Sequence, residues 1–320
     1  MSDLVAQLKS MPWYADPASI AFTPRAPTML ALHEAQMLRW IAANAYTGRG
    51  DIADLGCFLG GSTCAFGDGV AALGRAFDRR PIQTYDMLVT PNDPFDGYAN
   101  GLIGADKKPG ESFLDRFQDY TAPYAEFIEV HAGDVREHKP PRPIEVLFVD
   151  IAKGADINDH LVRHFFGNTI GAGAIVLHQD YNHPWLPWVH ITANQLRPFS
   201  DFVGDVAGTR IFVQHSRPTD EALQRCLSHA SSYEEKIVIL ENERDINESR
   251  YAAAMVQMSS AWLAFLEQGP EAFEARLNHP LMQEEYIPIQ VERMRKSAHD
   301  YFRGARAGYE KYQREYFQIK

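Results

Sequence analysis

Cysteine is scarce in this 320-residue chain: Cys57, Cys64 and Cys226 are its only three. None forms a C-x-x-C pair and the count is odd, which argues against a disulfide framework. A reducing compartment is expected, and the chain is read as cytoplasmic. No run of about 18 apolar residues occurs, and the first residues lack the basic-then-apolar plan of a secretory signal. A membrane partner is therefore not expected. Basic charge is also lacking. The formal net charge is −11, spread without a basic tail or an acidic block, which disfavours nucleic acid and anionic lipid as partners. Internal repeats and low-complexity tracts are absent. What remains is a globular balance, 45% hydrophobic and 23% charged, long enough for one large domain and an appendage.

One further absence is decisive. The apolar run Asp51-Ile52-Ala53-Asp54-Leu55 stops at Gly56, but three non-glycines separate Gly56 from Gly60. The G-x-G-x-x-G fingerprint of dinucleotide sites fails. In its place stands Gly56-Cys57-Phe58-Leu59-Gly60-Gly61-Ser62-Thr63, which reads as strand, glycine turn and helix start. Gly56 would turn the chain, Gly60 and Gly61 would admit a ligand close to the backbone, and Ser62 or Thr63 would cap the helix. Free N–H groups there suit an anion.

Around this motif the pattern alternates. A helix is predicted over 28–46 and another over 62–78. Strands are predicted at 82–88, 127–130, 144–150, 173–177 and 210–214, with helices at 111–122, 156–168 and 187–198 between them. Residues 89–110 read as a loop or insertion. Alternation of this kind specifies a parallel sheet covered on both faces, with ligands outside the carboxyl ends of the strands. Residues 1–27, rich in proline and aromatics, form a segment of their own and a candidate lid over the cofactor. Residues 28–218 form the main domain and residues 219–320 a helical extension. In that extension Tyr251, Met255, Met258, Trp262 and Phe265 share one helix face, stopped at Gly269-Pro270. A last helix is predicted near 284–316, with Tyr301, Ala305, Tyr309, Tyr312 and Tyr316 at helical spacing. Both stripes read first as packing faces, against the core or a second subunit, and otherwise as a substrate-facing aromatic wall; a homodimer through the C-terminal helices is compatible with them.

An acid two residues before the first glycine, with a loop ending Gly-Gly-Ser-Thr, resembles the first motif of class I S-adenosylmethionine-dependent methyltransferases. The ending is most similar to that of the macrocin-type small-molecule O-methyltransferases. The resemblance spans roughly residues 28–215. It implies a doubly wound, mostly parallel seven-stranded sheet, the Rossmann-like methyltransferase fold, and methyl transfer from S-adenosylmethionine to a hydroxyl of a small molecule such as a sugar or natural product. It also implies roles residue by residue. Gly56, Phe58, Gly60, Gly61, Ser62 and Thr63 would form the cofactor loop. Asp54 would orient the methionine end of the cofactor directly or through water, or else tie the turn together. Asp86, ending the second strand, would accept the ribose hydroxyls, or be a solvated loop acid. Asp134, after Gly133, would meet the adenine amino group, or start a turn.

In the family resembled, an acid after the fourth strand and two after the fifth hold a divalent metal. Asp150 and Asp180 match two of these places, with Mg²⁺ as the candidate ion, while Gln179 stands where an acid is expected. Asp180 otherwise caps the next helix or meets cofactor backbone. His178 and His183 are candidates to take a proton from the acceptor, with Asp150 and Asp180 beside them. His190, near Trp185 and Trp188, reads as packing. His160 and His164, four apart with Leu161 where H-E-x-x-H needs Glu, read as solvated. Lys153, three residues after Asp150, either binds an acidic substrate group or screens the carboxylates. Two other readings stay open on the same residues. One is a nicotinamide-dependent oxidoreductase. The other is a catalytically silent scaffold assembled through its helical tail.

Overall fold

The structure is a computed structural model that describes residues 2–91, 97–104, 106–285 and 287–300. It divides into two compact units, Met1–Tyr181 with Gln195–Ala230, and Asn182–Asn194 with Ser231–Lys320.

The first unit is built on seven strands: β1 Asp51–Leu55, β2 Ile82–Asp86, β3 Ile128–Ala132, β4 Ile144–Val149, β5 Ile175–His178, β6 Ser200–Val206 and β7 Thr209–Gln214. Their order is β3-β2-β1-β4-β5-β7-β6. The pairs among β1 to β5 are parallel, and β7 lies antiparallel between β5 and β6. The order reverses between β1 and β4, so the connections that leave their carboxyl ends run in opposite directions and open a crevice between them. This is the doubly wound, mostly parallel seven-stranded sheet expected from the sequence.

Strand β4 is buried along its whole length, as a central parallel strand must be. Ile52, Val146, Phe148, Ile175, Leu177 and Ile211 pack on one face with Met37, Leu38 and Phe66. Each such side chain contributes about 1.5–3 kcal/mol by burial. Met37 and Leu38 belong to the helix predicted over 28–46. Its α-helical part is shorter, Leu32–Trp40, and continues as a π turn at Ile41–Ala45. The strand predicted at 82–88 ends at Asp86, because Leu88 adopts a left-handed conformation, φ 51. Strand β6 escapes the alternation pattern. It is an edge strand with a register shift between Phe202 and Gly204, which breaks the period of two. The N-terminal segment is part of this core. Leu8 and Trp13 are completely buried, and Trp13 meets Trp40 edge to face.

The second unit is helical. Helix 233–245 starts on a capping box made by Ser232 and Glu235. Helix 250–268 is capped by Ser249 and stopped by Gly269, φ 92, ahead of Pro270. Its stripe packs as expected at Met255, Met258 and Phe265, whereas Tyr251 in the first turn is exposed. Phe273, Leu277 and Met294 from the following helices complete that core. The last described helix is Ile287–Asp300. The tyrosine spacing from Tyr301 to Tyr316 lies outside the described residues. Among the described residues no helix is long and apolar enough to cross a membrane.

Candidate functional site

The turn after β1 contains three left-handed residues, Gly56 (φ 90), Phe58 (φ 47) and Gly60 (φ 98). For phenylalanine that conformation costs on the order of 1–2 kcal/mol and must be held from outside. Asp86 holds it. One carboxylate oxygen, Oδ2, accepts the Phe58 N–H at 2.8 Å, and Oδ1 accepts the N–H of left-handed Leu88 at 2.8 Å. Each oxygen keeps a second acceptor site for a ligand. Burial raises the Asp86 pKa, and these two N–H bonds work against the rise.

The glycines of the turn also have a packing job. A Cβ at Gly61 would meet Thr28 Oγ1 at 2.4 Å, and one at Gly60 would meet Thr121 Cγ2 at 2.7 Å. Their missing Cβ atoms make room for threonine side chains of this chain. At Gly56 a Cβ would strike the Asp150 carbonyl oxygen at 2.4 Å. That close approach sets the ends of β1 and β4 side by side, with the Asp150 N–H donating to Leu55 O at 2.8 Å.

Ser62 and Thr63 do not cap the helix, whose N-cap is Gly60. Their hydroxyls donate to Asp54 Oδ2 at 3.1 and 2.6 Å. Asp54 is completely buried, and its other oxygen, Oδ1, has no hydrogen-bond partner. Burial pushes this carboxyl up to about 6 against the two hydroxyl bonds, and Asp86 adds to the rise. A buried carboxylate oxygen without a donor is costly unless a bound group or water completes it.

A cleft of about 210 Å³ opens at this edge. Of the expected residues, Gly56, Phe58, Ser62, Asp86 and Asp150 line it, joined by Cys57, Met87, Ile151 and Lys153. Thr28, Met29 and Leu30 line the other side. These three follow the segment read as a lid, and no local pattern marks them. They are anchored through Glu34, which accepts the Ala31 N–H at 2.8 Å and reaches the β6–β7 turn through Gly208 N–H and Thr209 Oγ1, at 3.2 and 2.7 Å.

Asp150 and Asp180 do come together, but around an ammonium. Lys153 Nζ donates to Asp150 Oδ1 at 3.0 Å and to Asp180 Oδ2. With its amide turned so that both ends find complements, Gln179 Nε2 donates to Asp150 Oδ1 at 3.2 Å and Asp180 Oδ1 at 3.0 Å. This donor set does not fit a divalent ion. Asp150 Oδ1 and both Asp180 oxygens already face N–H donors, and the third expected acid is an amide. Among the described residues no group of three or more His, Cys, Asp or Glu is arranged to hold a metal. Burial raises the Asp150 pKa to about 7 against the pull of Lys153, with Asp180 adding to the rise.

The other expected residues lie elsewhere. Asp134 is paired with Arg136, whose Nε is 3.0 Å from Oδ1, and it accepts the Arg136 N–H at 2.9 Å. Arg136 also bridges to Asp156. His178 is 2% exposed with no partner on either ring nitrogen, and burial lowers it to about 4. His183 is exposed in the second unit, its ring 5.1 Å from that of Trp185. His190 is completely buried. His160 and His164 are not solvated but half-buried, their rings 4.6 Å apart, because His160 Nε2 bonds to His138 O at 2.9 Å and draws the pair inward. Burial lowers both.

No family model matches this sequence, and no curated protein does. Solved structures do match at low identity. The O-methyltransferase NovP is 16% identical, with 67% of this chain and 98% of that chain covered and a TM-score of 0.44. The TDP-rhamnose 3'-O-methyltransferase CalS11, an enzyme of calicheamicin biosynthesis, is 14% identical over 67% and 93%, with a TM-score of 0.40. The SAH-bound Podospora anserina methyltransferase PaMTH1 is 13% identical over 67% and 88%, with a TM-score of 0.37.

Proposed function

We propose that this protein is an S-adenosylmethionine-dependent methyltransferase acting on a hydroxyl of a small molecule. One observation carries the reading. At the carboxyl edge of the sheet, the partnerless Asp54 Oδ1 lies beneath a turn whose Phe58 is pinned by the cleft-lining Asp86. S-adenosylmethionine offers a cationic amino group and a ribose diol, and these are the complements of a buried carboxylate oxygen and a carboxylate with spare acceptor sites.

When bound, the cofactor supplies an electrophilic methyl on a sulfonium. The chain supplies position and proton transfer. Asp86 holds the turn and the diol, and Asp54, with Ser62 and Thr63, receives the amino group. Thr28–Leu30 shield the cleft from water. Asp150, which lines the cleft, takes the proton of the acceptor hydroxyl as that oxygen attacks. Proximity at about 3 Å then provides much of the rate. His178 has no role in this scheme.

Calorimetric titration of S-adenosylhomocysteine, with NADH as control, tests the reading. Micromolar binding of the first and none of the second is expected. Affinity should rise as pH rises through 6, since Asp54 loses its proton there and the carboxylate then attracts the ligand's amino group. Absence of S-adenosylhomocysteine binding would overturn the proposal.

A further inference from the structure

We propose that the Lys153 ammonium is the resident cation of the acidic corner, standing where a divalent ion would stand, so that a side chain and not a metal orients the acceptor. The role in orienting an acceptor rests on the methyltransferase reading; the occupancy of the corner does not.

The placement is built into the backbone. Asp150 directly follows β4, and the Lys153 N–H closes a tight turn onto Ile151 O at 2.7 Å. Lys153 is thereby on the same short loop as the first carboxylate, and its side chain reaches Asp180 from β5's end. Asp180 is 8% exposed and half of the Lys153 side chain is exposed, so the ammonium covers the carboxylates on the cleft side. Gln179, with its amide turned as above, donates to the same two carboxylates. The ammonium offsets one of the two carboxylate charges, and the neutral amide donates to both. A dication entering it would meet a like charge in hydrogen-bond range of both ligands. It would also have to give up its water to a corner where Asp150 Oδ1 and both Asp180 oxygens are already bonded, which Mg²⁺ does reluctantly.

Replacement of the metal by lysine changes what the corner can do. A divalent ion chelates two acceptor oxygens, whereas an ammonium offers three N–H donors. Two are spent on Asp150 and Asp180. The third is left for one acceptor oxygen in the cleft, next to the carboxylate proposed to take its proton. The acceptor class that follows is a single hydroxyl, with no requirement for a neighbouring oxygen to complete a chelate.

The test is Mn²⁺ titration of the full chain followed by EPR, on the parent, Lys153→Met and Lys153→Arg. The parent and Lys153→Arg should leave added Mn²⁺ free. Lys153→Met, with two carboxylates facing each other, should capture one equivalent, and Asp180→Asn added to it should abolish the capture. Capture by the parent, lost on Asp180→Asn, would overturn the proposal. So would failure of Lys153→Met to bind, since the corner would then not be a cation position. If Lys153→Met folds poorly, its refolding yield with and without Mn²⁺ reads the same question: rescue supports the proposal and absence of rescue overturns it. Once an acceptor is found, chelator should leave the parent's turnover unchanged, and Lys153→Met should lower it by about a hundredfold, the effect of removing one preorganised donor. The EPR arms involve no methyl transfer, so they stand or fall apart from the S-adenosylhomocysteine titration.

Discussion

His178 places two ring nitrogens where neither finds a hydrogen-bond partner. Its ordinary pKa of 6.5 falls to about 4 because burial disfavours the charged ring, although Asp180 nearby favours it. The sign of the linkage follows. Above 6.5 the ring is neutral whether the chain is folded or not. As pH falls from 6.5 toward 4, the unfolded chain binds a proton that the folded one refuses, and stability is lost. His178→Leu, close in volume, should remove this acid sensitivity. It should also add about 1 kcal/mol at neutral pH by deleting two unsatisfied polar atoms. Urea midpoints across a pH series check both, and methyl transfer should be retained. A hundredfold loss of turnover would return His178 to the catalytic set.

At the scale of elements, the β1 turn shows how glycine, strain and a distant carboxylate combine. Gly56 carries φ 90 and faces the Asp150 carbonyl at 2.4 Å from a notional Cβ, while Gly74 is left-handed with nothing within 4 Å. Gly74→Ala should therefore cost about 1 kcal/mol, the conformational penalty alone. Gly56→Ala must also push β1 and β4 apart, and should cost about 3 kcal/mol or more and weaken S-adenosylhomocysteine binding. Thermal melts of the two variants, side by side, separate penalty from clash. Equal destabilisation would mean that the close approach of β1 and β4 is not what the glycine provides. The Glu34 bonds to Ala31, Gly208 and Thr209 act at the same scale, joining a helix start to a strand turn 174 residues away so that Thr28–Leu30 reach the cleft.

For the whole molecule, ligand binding and folding are linked. S-adenosylhomocysteine at a hundred times its Kd should stabilise the chain by about 2.7 kcal/mol. For a unit of this size that is a rise in Tm of about 5–10 °C. Differential scanning calorimetry with and without ligand checks the shift, and Asp86→Ala, which frees both Phe58 and Leu88, should abolish it. A full shift in Asp86→Ala would remove Asp86 from the proposed site. The net charge of −11 belongs to this scale as well: it sets solubility and disfavours polyanions, but says nothing of the acceptor.

Much of the sheet is determined by the sequence alone. The runs that became β1, β2, β4, β5 and β7 each have a glycine, a proline or an acid at or near one end, and a central parallel strand needs no distant information to be apolar throughout. Asp54, Gly56, Asp86 and Asp150 are legible for the same reason, since strand ends in an alternating chain converge on one edge. Tertiary structure alone decided the rest. Edge strand β6 depends on its pairing with β7, and its bulge hides the period. Thr28 occupies the space that Gly61 leaves open, and no local pattern records which side chain fills a missing Cβ. His178 and Lys153 differ in the same way. Three residues of sequence place Lys153 near Asp150, but only the folded approach of β4 and β5 brings Asp180 to the same ammonium and leaves His178 without a partner. Periodicity reports which face a side chain takes. The partner it meets there depends on residues far along the chain.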